Sequence, residues 1–249
     1  MAKIIFRTCS NVPPGTAERN IAYNKALGFS MVERAERHFL PLAVVGGGRS
    51  ILQHEATLKS WGGDIWAING AYGWCKERGI KATFFAIDAA DGLEQFACGV
   101  ESALIGSAVS PKVTDRLKGA RVSLFDVGVD GIMCGPTTAT TAPCLSLFMG
   151  YQDTTFFGCE SSWDGSAHAY SRAVDPDLID NRLLVACNGG EYLTCSEYLM
   201  QAECLAAAIR TAPHVFKEES GGLLRALVAD PEWDCIKATQ HVHDSLVRA

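Results

Sequence analysis

The chain has 249 residues, a formal net charge of -6, a charged fraction of 20% and an apolar fraction of 48%, so one large domain, or one domain with a small appendage, with an ample core is expected. No cluster of Lys or Arg forms an electrostatic footprint, and the acidic total argues against DNA or RNA as the main ligand. No apolar run reaches the roughly 18 residues a membrane span needs, and Met1-Ala2-Lys3 opens no export signal, so no membrane partner and a cytoplasmic location are the expectation.

Taken in chain order, residues 3–7 read as a short strand, broken by Asn11-Val12-Pro13-Pro14-Gly15. A helix follows over 16–27, and residues 1–39 together form an arm ahead of the main domain. The continuous apolar run 40–45 suits a strand buried on both faces. It ends in Gly46-Gly47-Gly48-Arg49-Ser50, where a helix is expected to start and run to residue 59. Strands are then expected over 64–68, 82–87, 104–107, 121–125 and 153–157, with helices over 72–78, 111–117 and 139–149. Thr137 or Thr138 is the N-cap of the last of these. Residues 192–209 read as a helix, 213–229 as a final strand and helix, and 231–249 as a tail. This alternation predicts an α/β domain over 40–230, with a mostly parallel sheet, helices on both faces and a helical C-terminal part.

None of the ten cysteines stands in a C-x-x-C pair, which leaves a zinc ribbon or a thioredoxin-type motif unsupported. Most lie among apolar or small neighbours, as in Phe157-Gly158-Cys159, and read as buried free thiols in a reducing compartment.

In an open parallel sheet, ligands bind beyond the carboxyl ends of the strands. Those ends carry Gly46-Gly47-Gly48-Arg49-Ser50, Asn69-Gly70, Asp88, Ser107 and Glu160-Ser161-Ser162, and Gly135-Pro136-Thr137-Thr138 precedes a helix. The glycine triplet suits either a phosphate approaching the backbone or a tight turn; it is neither a Walker loop nor a G-x-G-x-x-G fingerprint. Thr137 and Thr138 suit a second phosphate or plain capping, and Asn69 suits a base or ribose edge or an Asx turn. Asp88 suits a metal, a substrate hydroxyl or a cap. His168, in a polar loop with Asp164 and Tyr170, is the candidate general base, whereas His241 and His243 belong to a solvated tail.

The blocks Val44-Val45-Gly46-Gly47-Gly48-Arg49-Ser50, Ile65-Trp66-Ala67-Ile68-Asn69-Gly70, Pro136-Thr137-Thr138 and Gly158-Cys159-Glu160-Ser161-Ser162 with His168-Ala169-Tyr170 together resemble a group of phage proteins labelled "norphogenetic". That group carries a domain similar to archaeal 6-hydroxymethylpterin diphosphokinase and to Maf-type flagellin glycosyltransferases. A more distant likeness is to bacterial sialyltransferases that use CMP-sialic acid. The resemblance implies a Rossmann-like fold and a nucleotide donor, with Gly46, Gly47, Gly48 and Ser50 at phosphate or ribose and Asn69 at the nucleotide. It further implies Thr137 and Thr138 near the donor phosphate and His168 as base; Asp88 and Ser161 complete the expected binding set. Arg49 stands where the group commonly has Pro, and Cys159-Glu160 where related chains have an aromatic or apolar residue followed by Asp.

The expectation is therefore a cytoplasmic transferase moving a sugar from a CMP-type donor to an acceptor hydroxyl, in a bacterial host if phage-encoded. One alternative is diphosphate transfer from ATP with Mg²⁺ on Asp88 or Glu160. The other is a phage nucleotide-binding protein without catalysis. A homo-oligomer is compatible with each.

Overall fold

The computed structural model describes residues 12–127, 132, 137–163, 169 and 182–233. The expected strand at 3–7, His168 and the tail histidines lie outside the described residues. Helix α1 (Thr16–Ala26) leads to a two-residue strand, β1 (Ser30–Met31). Strand β2 (Leu42–Val45) is fully buried. Next come α2 (Glu55–Lys59), β3 (Asp64–Ile68), α3 (Ala71–Glu77), β4 (Thr83–Ala86), β5 (Ser102–Gly106), α4 (Pro111–Arg116) and β6 (Arg121–Phe125). Helix α5 (Thr138–Phe148) and β7 (Thr154–Phe157) follow, then β8 (Arg182–Cys187), β9 (Gly190–Cys195), α6 (Ser196–Thr211), β10 (Phe216–Glu218) and α7 (Gly222–Ala229).

Among the described residues the main sheet has eight strands in the order β1-β6-β5-β4-β3-β2-β7-β10, and every pairing between them is parallel. This is the Rossmann-like α/β architecture. From β2 to β6 the chain steps in one direction across the sheet; β7 then returns to the other side of β2. The strand order therefore reverses between β2 and β7, and a crevice opens at such a point because the flanking connections leave to opposite faces.

Period-two alternation divides the core. Leu42, Val44 and Trp66 face the layer built by α5, α6 and α7, with Leu145, Leu205 and Leu224 packed there. Ala43, Val45 and Ala67 face the opposite layer with Leu58, Trp74 and Val113 of α2, α3 and α4.

Three expectations are corrected. After the glycines the chain forms a tight 3-10 turn (Arg49–Gln53) and only then α2, not one helix from Ser50. Such a turn lets Ile51 drop into the core at 0% exposure. Residues 192–195, expected as the start of a helix, are strand: β8 and β9 make an antiparallel hairpin, and α6 starts at Ser196. Its two-residue turn is Asn188-Gly189, with φ of 48° and 74°, the left-handed pair that matches the twist of a hairpin. Finally, β1 joins the sheet as an edge strand beside β6, an element not anticipated from the sequence.

Candidate functional site

A cavity of about 280 Å³ lies where the strand order reverses. The carboxyl ends of β2, β3, β4 and β7 and the N-terminus of α5 converge on it, bringing Gly46, Gly47, Gly48, Asn69, Asp88, Thr137, Thr138 and Ser161 to one place. Of the binding residues expected from sequence, only Ser50 sits elsewhere, in the wall of a neighbouring cavity. For His168, the described structure offers only its neighbour: the Ala169 N–H donates to Gly47 O at 2.9 Å.

The glycine loop is narrow because β7 presses on it. Gly46 N–H donates to Phe157 O at 2.7 Å and Gly48 N–H to Gly158 O at 2.8 Å. Two residues further on, the Ser50 N–H donates to Glu160 Oε1 at 2.5 Å. A carboxylate of this chain thus occupies the seat at Gly48–Ser50 that the sequence suggested for a phosphate. Two anions so close repel unless a cation or proton intervenes, so an anion at this rim would be kept from Gly48–Ser50 and would meet the N-terminus of α5 instead.

Helix α5 supplies the positive end of a dipole. Thr137 is its N-cap, with extended backbone, and Thr138 and Ala139 in its first turn line the cavity. The Thr140 N–H is taken up locally by Thr137 O at 3.2 Å, which leaves the first-turn amides of Thr138 and Ala139 as the groups that can attract an anion. The Thr137 hydroxyl is not available as a donor, because it already donates to Gln201 Oε1 at 2.6 Å. Gln201 Nε2 in turn donates to Ser161 Oγ at 2.9 Å, and Ser161 Oγ donates to Cys159 O at 3.1 Å. Ser161 is held at φ 57°, a left-handed conformation that costs about 1–3 kcal/mol in a non-glycine residue. The Gln201 bond, together with Thr194 Oγ1 donating to Ser161 O at 2.7 Å, fixes it there.

Asn69 is likewise left-handed, at φ 48°, immediately after β3. Its N–H donates to Phe85 O at 3.1 Å, while its side-chain Oδ1 is buried without a hydrogen-bond partner. A buried carbonyl left so costs about 1–3 kcal/mol, and a ligand donor would recover that. Asp88 Oδ1 accepts from Ala90 N at 2.9 Å, the bond of a turn-closing aspartate.

The charge of the cavity is negative. Asp88, Glu160 and Glu197 line it, and no Lys or Arg is among its described lining residues. Burial pushes the Glu197 carboxyl up, but hydrogen bonds from its own backbone N–H, Ser196 and Cys195 outweigh this and hold it below the usual range, so it stays ionised. Burial, reinforced by Glu160, raises the Cys159 thiol far above its ordinary value, which makes it an inert wall rather than a nucleophile. No group of three or more metal-ligating side chains is assembled among the described residues. No helix among them is long and apolar enough to cross a membrane.

Gln201, Glu197 and Tyr198 were not anticipated as site residues. One signal was present for Gln201: it shares a face of α6 with Ala202 and Leu205, where a buried polar side chain needs a partner. No protein-family model, no curated protein and no solved structure matches the chain.

Proposed function

We propose that this protein is a transferase that binds a nucleotide-activated sugar of CMP type in the crevice between β2 and β7 and passes the sugar to an acceptor hydroxyl. The observation that carries this reading is the pairing of a helix N-terminus with an otherwise acidic lining. The α5 amides suit one phosphate, while Asp88, Glu160 and Glu197 and the lack of a described lining Lys or Arg disfavour a bare triphosphate. A nucleoside monophosphate sugar carries a single phosphate charge and fits that balance. Asn69 Oδ1 supplies an acceptor for a base amine or ribose hydroxyl. The resemblance noted in the sequence points the same way, and on it His168 takes the acceptor proton.

A thermal-shift series with CMP, CDP, UDP, GDP and ATP, each with and without Mg²⁺, tests the reading. CMP is expected to raise the melting temperature without Mg²⁺ by mass action. Asn69→Gly, which keeps the left-handed backbone and removes the amide, should weaken CMP by about tenfold. Stabilisation by ATP only with Mg²⁺ would favour diphosphate transfer through Asp88 and Glu160 instead. No shift with any nucleotide would sink both.

A further inference from the structure

A second cavity, of about 620 Å³, adjoins the first, and Glu160 and Ser162 line both. We propose that it is the acceptor subsite and is built for a pyranose or similar polyhydroxylated ring; this rests on the nucleotide-sugar reading of the neighbouring crevice. A hydroxyl seated against the shared wall lies beside a donor in the crevice, which is the arrangement transfer requires.

The walls of the second cavity combine flat apolar surface with dispersed polar groups. Trp163 and Tyr192 supply the aromatic surface. A pyranose presents a face of C–H bonds that packs on the electron-rich face of such rings. Both rings stand on fixed backbone: Tyr192 belongs to β9, and Trp163 N–H donates to Leu193 O at 2.8 Å. The Trp163 ring also meets Tyr198 edge-on, with centroids 5.7 Å apart.

Two polar atoms in this wall are buried with no hydrogen-bond partner, Ser50 Oγ and Trp163 Nε1. An apolar occupant would leave them so, whereas a ligand bearing several hydroxyls offers both a donor and an acceptor. The charges are mixed: Arg49 and Arg225 stand with Glu160, Glu191 and Glu219. Arg225 is already engaged, its Nε 2.7 Å from Glu218 Oε1. That balance disfavours a second phosphate and suits a neutral polyol. The volume lies within the usual range for a small-molecule site, about 300–1,000 Å³.

Saturation-transfer NMR on the full chain tests the subsite, with methyl glycosides of galactose, glucose and N-acetylglucosamine as probes, in the presence and absence of CMP. Transfer to the ring protons of at least one glycoside is expected. Tyr192→Ala and Trp163→Leu, which each remove an aromatic wall, should each cut that transfer by about fivefold and leave the CMP-induced melting shift unchanged. Glu160→Gln should move the two ligands in opposite directions: weaker glycoside signal from the lost carboxylate acceptor, and CMP affinity raised about tenfold by removal of a like charge. No transfer to any glycoside, or transfer unchanged in both wall variants, overturns the proposal. Glycoside silence with an intact CMP shift condemns the acceptor subsite alone. Wall-dependent glycoside transfer with no nucleotide shift leaves a glycoside site and condemns the donor reading.

Discussion

Gly46 and Gly48 stand two residues apart, yet a methyl group added at each meets a different obstacle. At Gly46 it would lie 2.3 Å from the backbone oxygen of Gly158, in the turn that follows β7. Strands β2 and β7 are hydrogen-bonded along their length, so that oxygen cannot retreat without parting them. At Gly48 it would lie 1.6 Å from Glu160 Oε2, the far end of a side chain that can swing away. Gly46→Ala should therefore destabilise the fold by about 1–3 kcal/mol through overpacking, whatever stands at position 160. Gly48→Ala should cost about 1–2 kcal/mol, chiefly the lost Ser50–Glu160 hydrogen bond. A double-mutant cycle with Glu160→Ala in urea separates the two. The Gly48 effect is expected to vanish in that background and the Gly46 effect to persist; equal persistence of both would refute the carboxylate seat.

Among the elements, α1 docks by hydrogen bonds rather than by an apolar stripe. Its buried residues are Asn20 and Asn24. Asn24 Nδ2 donates to Ser107 O at 2.8 Å and to Val109 O at 2.7 Å, while Thr114 Oγ1 donates to Asn24 Oδ1 at 2.8 Å. Asn20 Nδ2 likewise donates to Ala89 O and Ala108 O, at 3.1 Å and 3.0 Å. One helix thereby satisfies the loop carbonyls that follow β4 and β5, whose turns approach the crevice through Asp88. Asn24→Leu keeps the size and orphans the Ser107 and Val109 carbonyls, while the Thr114 hydroxyl keeps its bond to Pro111 O at 3.0 Å, so a loss of about 2–4 kcal/mol is expected in chemical denaturation. An unchanged midpoint would mean that α1 is held by apolar contact after all.

Across the whole molecule, the seven described cysteines are free, and their surroundings rank their reactivity. Cys98 is exposed. Burial pushes the Cys75 thiol up to about 12 and that of Cys195 to about 11, and Cys159 is buried in the crevice wall. The thiolate is the reacting form, so alkylation of the native protein near pH 8 should label Cys98 first among the described cysteines, ahead of exposed Cys204, whose thiol partial burial pushes up. Cys75 and Cys159 should label only when the sheet opens, at a rate that follows global unfolding. Mass spectrometry of timed, alkylated samples reads this order; early labelling of Cys159 would show that the crevice wall breathes independently of the fold.

The parallel strands were legible in the sequence because strands buried on both faces are written as short apolar runs, as in Leu42–Val45, and their ends are marked by Gly, Asn and Asp. The rim residues Gly46, Asn69, Asp88 and Ser161 were legible for the same reason, since strand ends are local features of the chain, and Thr137 was legible as a local helix cap. The Asn188-Gly189 hairpin was also written locally, but the helical pattern of the following residues masked it. What the sequence could not decide is which groups meet. Glu160 reaches Ser50 across 110 positions, and Gln201 joins Thr137 to Ser161 from a helix formed later in the chain. Both contacts exist only because β7 returns beside β2 and brings α5 and α6 over one face. Local propensity determined the strands and their terminating residues. Tertiary structure decided that a carboxylate fills the glycine seat and that the Thr137 hydroxyl is already spent, because long-range pairing alone sets those distances.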